Sequence, residues 1–259
     1  MLERAMQMLS TGLVSVTFRQ LSPFEIVNLV KQAGLDSIEW GGDIHIPHGD
    51  IARAREVGKI TADAGLKVAC YGSYYRLGQD ENTPFDEILE TALACGAPLI
   101  RVWAGSKKSI DADESCRESV IADARRICDA AQSAGISITV EHHCDTLADT
   151  VASSLRLMKE VDHSAIRINW QPQIGVSTDD CVAGLKSMLS WLSNVHVFQW
   201  IKSYSDRYPL ADGEEAWKRC IAAVVSSGRG HCFLIEFVAG DTPEAFLRDA
   251  ADLRRWVTK

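Results

Sequence analysis

Apolar residues along the chain follow two alternating rhythms. Short runs of apolar, often β-branched residues lie near 11–17, 36–40, 67–71, 99–103, 136–141, 164–170, 194–200 and 232–237. Such runs, bounded by glycine and polar residues, predict strands. Between them apolar positions return every three or four residues, as in Ile26, Val27 and Val30, in Leu185, Met188, Leu189 and Leu192, and in Phe246, Leu253, Trp256 and Val257. That period lays one apolar stripe along each of a series of helices. Ser22-Pro23, Thr83-Pro84 and Thr242-Pro243 read as helix starts with proline at the first helical position. Gly34, Gly65, Gly96, Gly135 and Gly228 each close a helical stretch ahead of an apolar run. Glycine just past the last turn accepts the left-handed conformation that other residues resist.

Strand and helix alternating at roughly 30 residues predict repeated βαβ units and a parallel sheet. Eight strands and eight helices in 259 residues fit one (β/α)8 TIM barrel over 1–259, a single α/β domain. A doubly wound sheet is the alternative, but no GxGxxG turn follows the first strand.

Composition narrows the classes. The chain is 46% hydrophobic and 24% charged, which is ordinary for a globular protein. A formal net charge of −8 lacks the positive field of a phosphate-backbone binder, so no nucleic-acid partner is expected. No apolar run reaches the roughly 18 residues of a membrane span. The opening MLERAMQMLSTG has no long apolar segment of the signal-peptide type, and a cytoplasmic location is expected. Eight cysteines, scattered and without a CxxC, read as thiols in a reducing compartment.

In a barrel of this kind chemistry sits at the C-terminal ends of the strands. Those ends carry Thr17 and Arg19, Glu39, Tyr71, Arg101 with Trp103, Glu141 with His143, Asn169 with Gln171, His196, and Glu236. Each has a plain structural reading when taken singly: Glu39 can pair with Arg101, and His196 can be a satisfied core histidine. Together, Glu141, His196 and Glu236 on three strands form a ring of metal-ligand types about one axis.

The stretches IEWGGDIHIP (38–47), YGSYYRLG (71–78), IRVWAG (100–105), TVEHHCDTLADT (139–150), INWQP (168–172), HVFQW (196–200), RYPLADG (207–213) and LIEFV (234–238) carry a resemblance. Over essentially its whole length the chain resembles the xylose isomerase-like TIM-barrel superfamily, the sugar phosphate isomerase/epimerase group. Metal-dependent members place Glu, Asp, His and Glu after strands five to eight. The resemblance therefore implies a divalent cation (Mn, Mg, Co or Zn) on Glu141, Asn169, His196 and Glu236. Asn169 departs from the pattern: an amide keeps an oxygen donor but removes a charge. Gln171, two residues on and on the same strand face, is the other candidate to complete the shell.

The resemblance further implies a sugar isomerase or epimerase acting on a small keto- or aldo-sugar. Glu141 and Glu236 would move the proton beside the carbonyl through an enediolate. Glu39, His45, Tyr71, Arg101, Trp103, His143, Gln171, Lys202 and Arg207 are the expected substrate contacts, with Tyr71, Trp103 and Trp200 as apolar walls. A lyase or dehydratase on an oxidised sugar or glycoside would use the same metal and base, and a non-catalytic sugar-binding barrel would fit Asn169. An apurinic-site endonuclease, which shares the barrel, needs more histidines than the seven present, and a basic face. A homo-oligomer is compatible with this reading.

Overall fold

The computed structural model describes residues 8–79 and 83–258. Eight parallel strands close a barrel in chain order: β1 (Ser10–Val14), β2 (Ser37–Gly41), β3 (Lys67–Arg76), β4 (Leu99–Trp103), β5 (Ser137–Glu141), β6 (Ile166–Trp170), β7 (Leu192–Val197) and β8 (Cys232–Ile235). The helices between and after them are α1 (Pro23–Ala33), α2 (Ile51–Asp63), α3 (Phe85–Ala94), α4 (Glu114–Ser133), α5 (Val151–Val161), α6 (Thr178–Met188), α7 (Glu214–Val225) and α8 (Pro243–Val257). The pairing of β8 with β1, Gly12 opposite Leu234, removes the last sheet edge.

The predicted junctions hold with local shifts. Ser22 caps α1 in a reciprocal box with Glu25, and Pro23 opens the helix. Thr242 caps α8 ahead of Pro243. Pro84, in contrast, is extended (ψ 130°) and precedes α3, which starts at Phe85 rather than at the proline. The five junction glycines all have φ between 66° and 79°.

Three strands depart furthest from their expected bounds, while β6 starts at Ile166 and β8 ends at Ile235, two residues inside theirs. β1 stops at Val14, and Ser15–Phe18 turn into a short 3₁₀ segment. β3 runs on to Arg76, with an irregular register between Gly72 and Tyr75. β7 starts at Leu192 because α6 ends at Met188, earlier than its apolar period implied, and ends at Val197 rather than 200.

Outward-facing strand residues such as Phe233 and Ile235 pack with the helices in one large core. A small separate cluster, Val14, Val16, Cys232 and Leu234, fills part of the lumen. The rest of the lumen is polar: Glu39, Arg101, Thr139, Glu141, Asn169 and His196 are all buried. Alternation along each strand sets this, since Arg101 and Trp103, or Thr139 and Glu141, share one face.

Asp249 of α8 is 4% exposed and accepts the Leu210 N–H at 3.0 Å. Burial pushes its carboxyl up to about 6, against the pull of that amide. A folded-state value above the ordinary 3.8 favours folding fully below about pH 4, and this contribution is lost as pH rises through 6. Asp249→Asn keeps an acceptor without the charge. Its Tm advantage over the native chain should be larger at pH 7.5 than at pH 4.5; equal differences at the two pH values would refute this.

Candidate metal and substrate site

One guanidinium organises the mouth of the barrel. Arg101, on β4, is 2% exposed; its Nε donates to Glu39 Oε1 at 2.7 Å and its Nη1 donates to Glu141 Oε2. The opposite β3 residue is Gly72, where a Cβ would stand 2.8 Å from Arg101 Nη2 and 3.1 Å from Glu39 Oε1. Glycine leaves the space that the ion pair fills. Trp103 Nε1 donates to the same Glu141 Oε2. Burial alone would raise the carboxyls, but Arg101 foremost, with His196, holds both Glu39 and Glu141 below the ordinary range. In Arg101, burial would lower the value, yet Glu141 and Glu39 hold the guanidinium well above it.

His196, fully buried on β7, stands between two sets of carboxylates. Its Nε2 lies 3.2 Å from Glu39 Oε2, and its Nδ1 lies 3.4 Å from both Glu141 Oε1 and Glu236 Oε2. With Nε2 toward Glu39, Nδ1 faces Glu141 and Glu236. Burial would lower the imidazole's value, but Glu236 and Glu39 hold it well above the ordinary one, so a cation bound there would take the place of the Nδ1 proton. One ligand atom from each of these three residues lies within 4.8 Å of the others. Ligands about 2.0–2.3 Å from a shared ion sit roughly 3–3.7 Å apart, and the two 3.4 Å approaches to His196 Nδ1 fall in that range. Asn169 supplies the independent test. It pairs in register with Glu141, is fully buried, and both its amide atoms lack a hydrogen-bond partner. A buried orphan amide beside that triad fits a cation bound through its oxygen. Glu141, Asn169, His196 and Glu236 thus form a donor set suited to a divalent ion.

Above this set opens a cleft of about 530 Å³ lined by Arg101, Trp103, Glu141, His143, Gln171, Lys202 and Glu236, as well as Trp200. Gln171 Oε1 is buried and unpartnered, so it too can reach an ion or a substrate. His143 packs its ring 5.1 Å from Trp103, with Nδ1 2.6 Å from the Cys144 carbonyl. Burial would lower its value, but the bond to Cys144 and the charge of Glu141 raise it to about 9. The Lys202 ammonium has no carboxylate partner among the described residues.

Four expected substrate contacts lie elsewhere. Glu39 is 1% exposed, with both oxygens engaged below the cleft, and acts on Arg101 and His196 instead. His45 is buried against Ser15 Oγ (2.9 Å) in the β2–α2 loop. Tyr71 points the same way, donating to the Ile46 carbonyl at 2.8 Å. Arg207 is committed to Asp241 and lies over the Phe237 ring, 4.3 Å from its centroid.

Two aromatic walls were not read from the sequence. Tyr74 (φ 57°) and Phe237 (φ 51°) adopt left-handed backbones and line the cleft. Thr17 Oγ1 accepts the Phe237 N–H at 2.9 Å. Arg101 lies over the Tyr74 ring at 5.0 Å. Side-chain alternation cannot announce a left-handed residue; the only signal was the density of tyrosine in YGSYYR.

A closed (β/α)8 barrel with a buried carboxylate–histidine cluster at its mouth that could hold a metal ion defines the class. The chain belongs to the xylose isomerase-like TIM barrel family, whose model matches residues 27–256. It is 27% identical over 197 residues to a 3-dehydroshikimate dehydratase of Bacillus anthracis, covering 71% of this chain and 70% of that protein. Among solved structures it resembles the probable 3-DHS dehydratase involved in petrobactin synthesis from the same organism (TM-score 0.80, 20% identity, 95% and 98% of the two chains). It also resembles a Mycobacterium smegmatis barrel of this family in complex with magnesium (0.73, 17%, 93% and 90%). A third likeness is to a D-psicose 3-epimerase in the presence of D-fructose (0.72, 16%, 96% and 99%). Among the described residues no helix is long and apolar enough to cross a membrane.

The geometry makes two predictions. Asn169→Asp adds a third carboxylate to the donor set and should tighten Mn²⁺ binding by at least about tenfold, read by calorimetry. Unchanged affinity would place Asn169 outside the shell. Arg101→Met strands two buried carboxylates and should cost about 3–5 kcal/mol in denaturant unfolding of metal-free protein. A loss below about 1 kcal/mol would show that the pair does not hold the mouth together.

Proposed function

We propose that the protein is a metal-dependent lyase that dehydrates a small hydroxylated carbonyl acid. The observation that carries this reading is the unequal state of the two cleft carboxylates. Glu141 Oε2 already accepts N–H bonds from Arg101 and Trp103, which makes it a poor proton acceptor. Glu236 accepts no such bond among the described residues and lines the cleft. His143, held protonated beside Glu141, faces the same space. One carboxylate without the Arg101 and Trp103 donors, beside one acid, suits an elimination better than a symmetric pair of carboxylates would.

Glu236 takes the proton from the carbon beside the carbonyl. The freed electron pair forms the carbon–carbon double bond as the β C–O bond breaks. The departing hydroxide takes a proton from His143 and leaves as water. Glu141, Asn169, His196 and Glu236 would hold a divalent cation, which would supply positive charge beside the substrate's carbonyl oxygen. Lys202, and Arg19 at the Asp43 edge of the cleft, provide cationic partners for the acid group. The relative named as a 3-dehydroshikimate dehydratase supports the same choice and supplies the first compound to test.

Epimerisation of a ketose is the second reading, favoured by the equal 3.4 Å approach of Glu141 and Glu236 to His196 Nδ1. Assays with Mn²⁺ or Mg²⁺ in deuterated water separate the two. With 3-dehydroshikimate we expect water loss and a more conjugated, ultraviolet-absorbing product. Glu236→Gln and His143→Gln should each lower kcat by about 10²-fold or more with metal retained. Deuterium uptake into a ketose without elimination, across the same panel, would instead establish the epimerase.

A further inference from the structure

A second cleft, of about 460 Å³, opens beside the first, between the β6–α6 and β7–α7 loops. Pro172, Gln173, Ile174, Phe198 and Trp200 line both, so the two spaces share one wall. That wall is an aromatic partition: Phe198 and Trp200 stack with centroids 3.6 Å apart, and Trp217 Nε1 pins the Phe198 carbonyl at 3.1 Å. The far side is formed by Val176, Cys181, Ala216 and Cys220 together with the uncharged polar Ser177, Thr178 and Gln199, and no charged side chain lines it. At its rim Ile174, Val176 and Ile201 are 39–47% exposed, although each is large and apolar. The Trp200 indole N–H is buried without an acceptor. The first cleft, by contrast, is lined by Arg19, Arg101, Glu141, Asp145, Lys202 and Glu236.

We infer that this annex is a subsite for an uncharged aromatic substituent on the substrate. The acid and carbonyl occupy the metal cleft, and an aryl group passes over Trp200 into the apolar chamber. The volume suits one ring with its linker, and the orphan indole N–H offers a donor to the linking oxygen. The division of charge between the two chambers matches a ligand with an anionic head and an apolar tail. The identity of the head rests on the lyase reading above; the annex does not.

The test uses three probes on the full chain loaded with Mn²⁺: D-glucuronate, phenyl β-D-glucuronide and benzyl alcohol. Benzyl alcohol, followed by NMR shift perturbation, should bind the native chain and Glu236→Gln alike, and fail to bind Ala216→Phe, which fills the annex. By calorimetry the phenyl glucuronide should bind at least about tenfold tighter than glucuronate, and Ala216→Phe should erase that difference without weakening glucuronate. Thermal melts confirm that the variant is folded, and Val176→Asp at the rim should reproduce its effect. If glucuronate fails to bind while benzyl alcohol binds in the Ala216-dependent way, the annex stands and a uronic-acid head is excluded, while the lyase reading is decided separately by water loss from 3-dehydroshikimate. Absence of benzyl alcohol binding to the native chain overturns the inference. So does a dimer in light scattering that Val176→Asp dissociates, because a second copy would then cover this face.

Discussion

The ion pairs made by Arg101 are the constraint on which the mouth of this barrel depends. A guanidinium and two carboxylates taken out of water are each costly, and only mutual saturation makes the arrangement tolerable. Here the saturation is directional. Nε faces Glu39 and Nη1 faces Glu141, so the planar fork fixes both acids at once. Glu39 in turn holds one nitrogen of His196, and the other nitrogen is thereby turned toward Glu141 and Glu236. Orientation of the donor set is thus inherited from a charge network one layer deeper in the lumen. The small residue at Gly72 is part of the same constraint, since it is the opening through which the guanidinium reaches Glu39.

Around that rigid floor the walls are aromatic and backbone-strained. A left-handed backbone is unfavourable for a residue with a bulky ring, and it persists only where the surroundings over-determine it. Phe237 is tied by Thr17 through its amide and covered by Arg207 on its ring. Tyr74 lies edge-on to Trp103, with Arg101 over its face. Both strained residues border the cleft, and one directly follows Glu236. The carboxylate's direction is therefore set by backbone geometry as much as by its own side-chain partners.

The barrel was legible in the sequence because its cause is periodic: apolar runs, helical stripes and junction glycines repeat, and repetition survives without coordinates. Strand-end polar residues were legible for the same reason, since alternation places Arg101 with Trp103 and Asn169 with Gln171 on single faces. The Glu39–Arg101 pair could be named, but not its second arm to Glu141, because a three-way contact across β2, β4 and β5 has no sequence signature. Tyr71 and His45 looked equivalent to true lining residues. Only the loop after β2, folding back so that Ile46 accepts from Tyr71, shows that they serve that loop instead. Tyr74 and Phe237 were hidden by the opposite problem, a local reversal of the alternation used to read the strands.

The order of the ligands along the chain has a consequence for assembly. Glu141 and His196 lie on β5 and β7, but Glu236 follows β8, which is docked on one side by β1 at the opposite end of the sequence. On its other side β8 pairs with β7, so the donors lie on the consecutive strands β5 to β8 and come together when those four strands do, before or after the β1–β8 seam closes. A cation that requires all of them would bind those four strands assembled and not apart, so its binding energy would add to the force holding β5 to β8 together. Metal supply would then bear on how often those strands part.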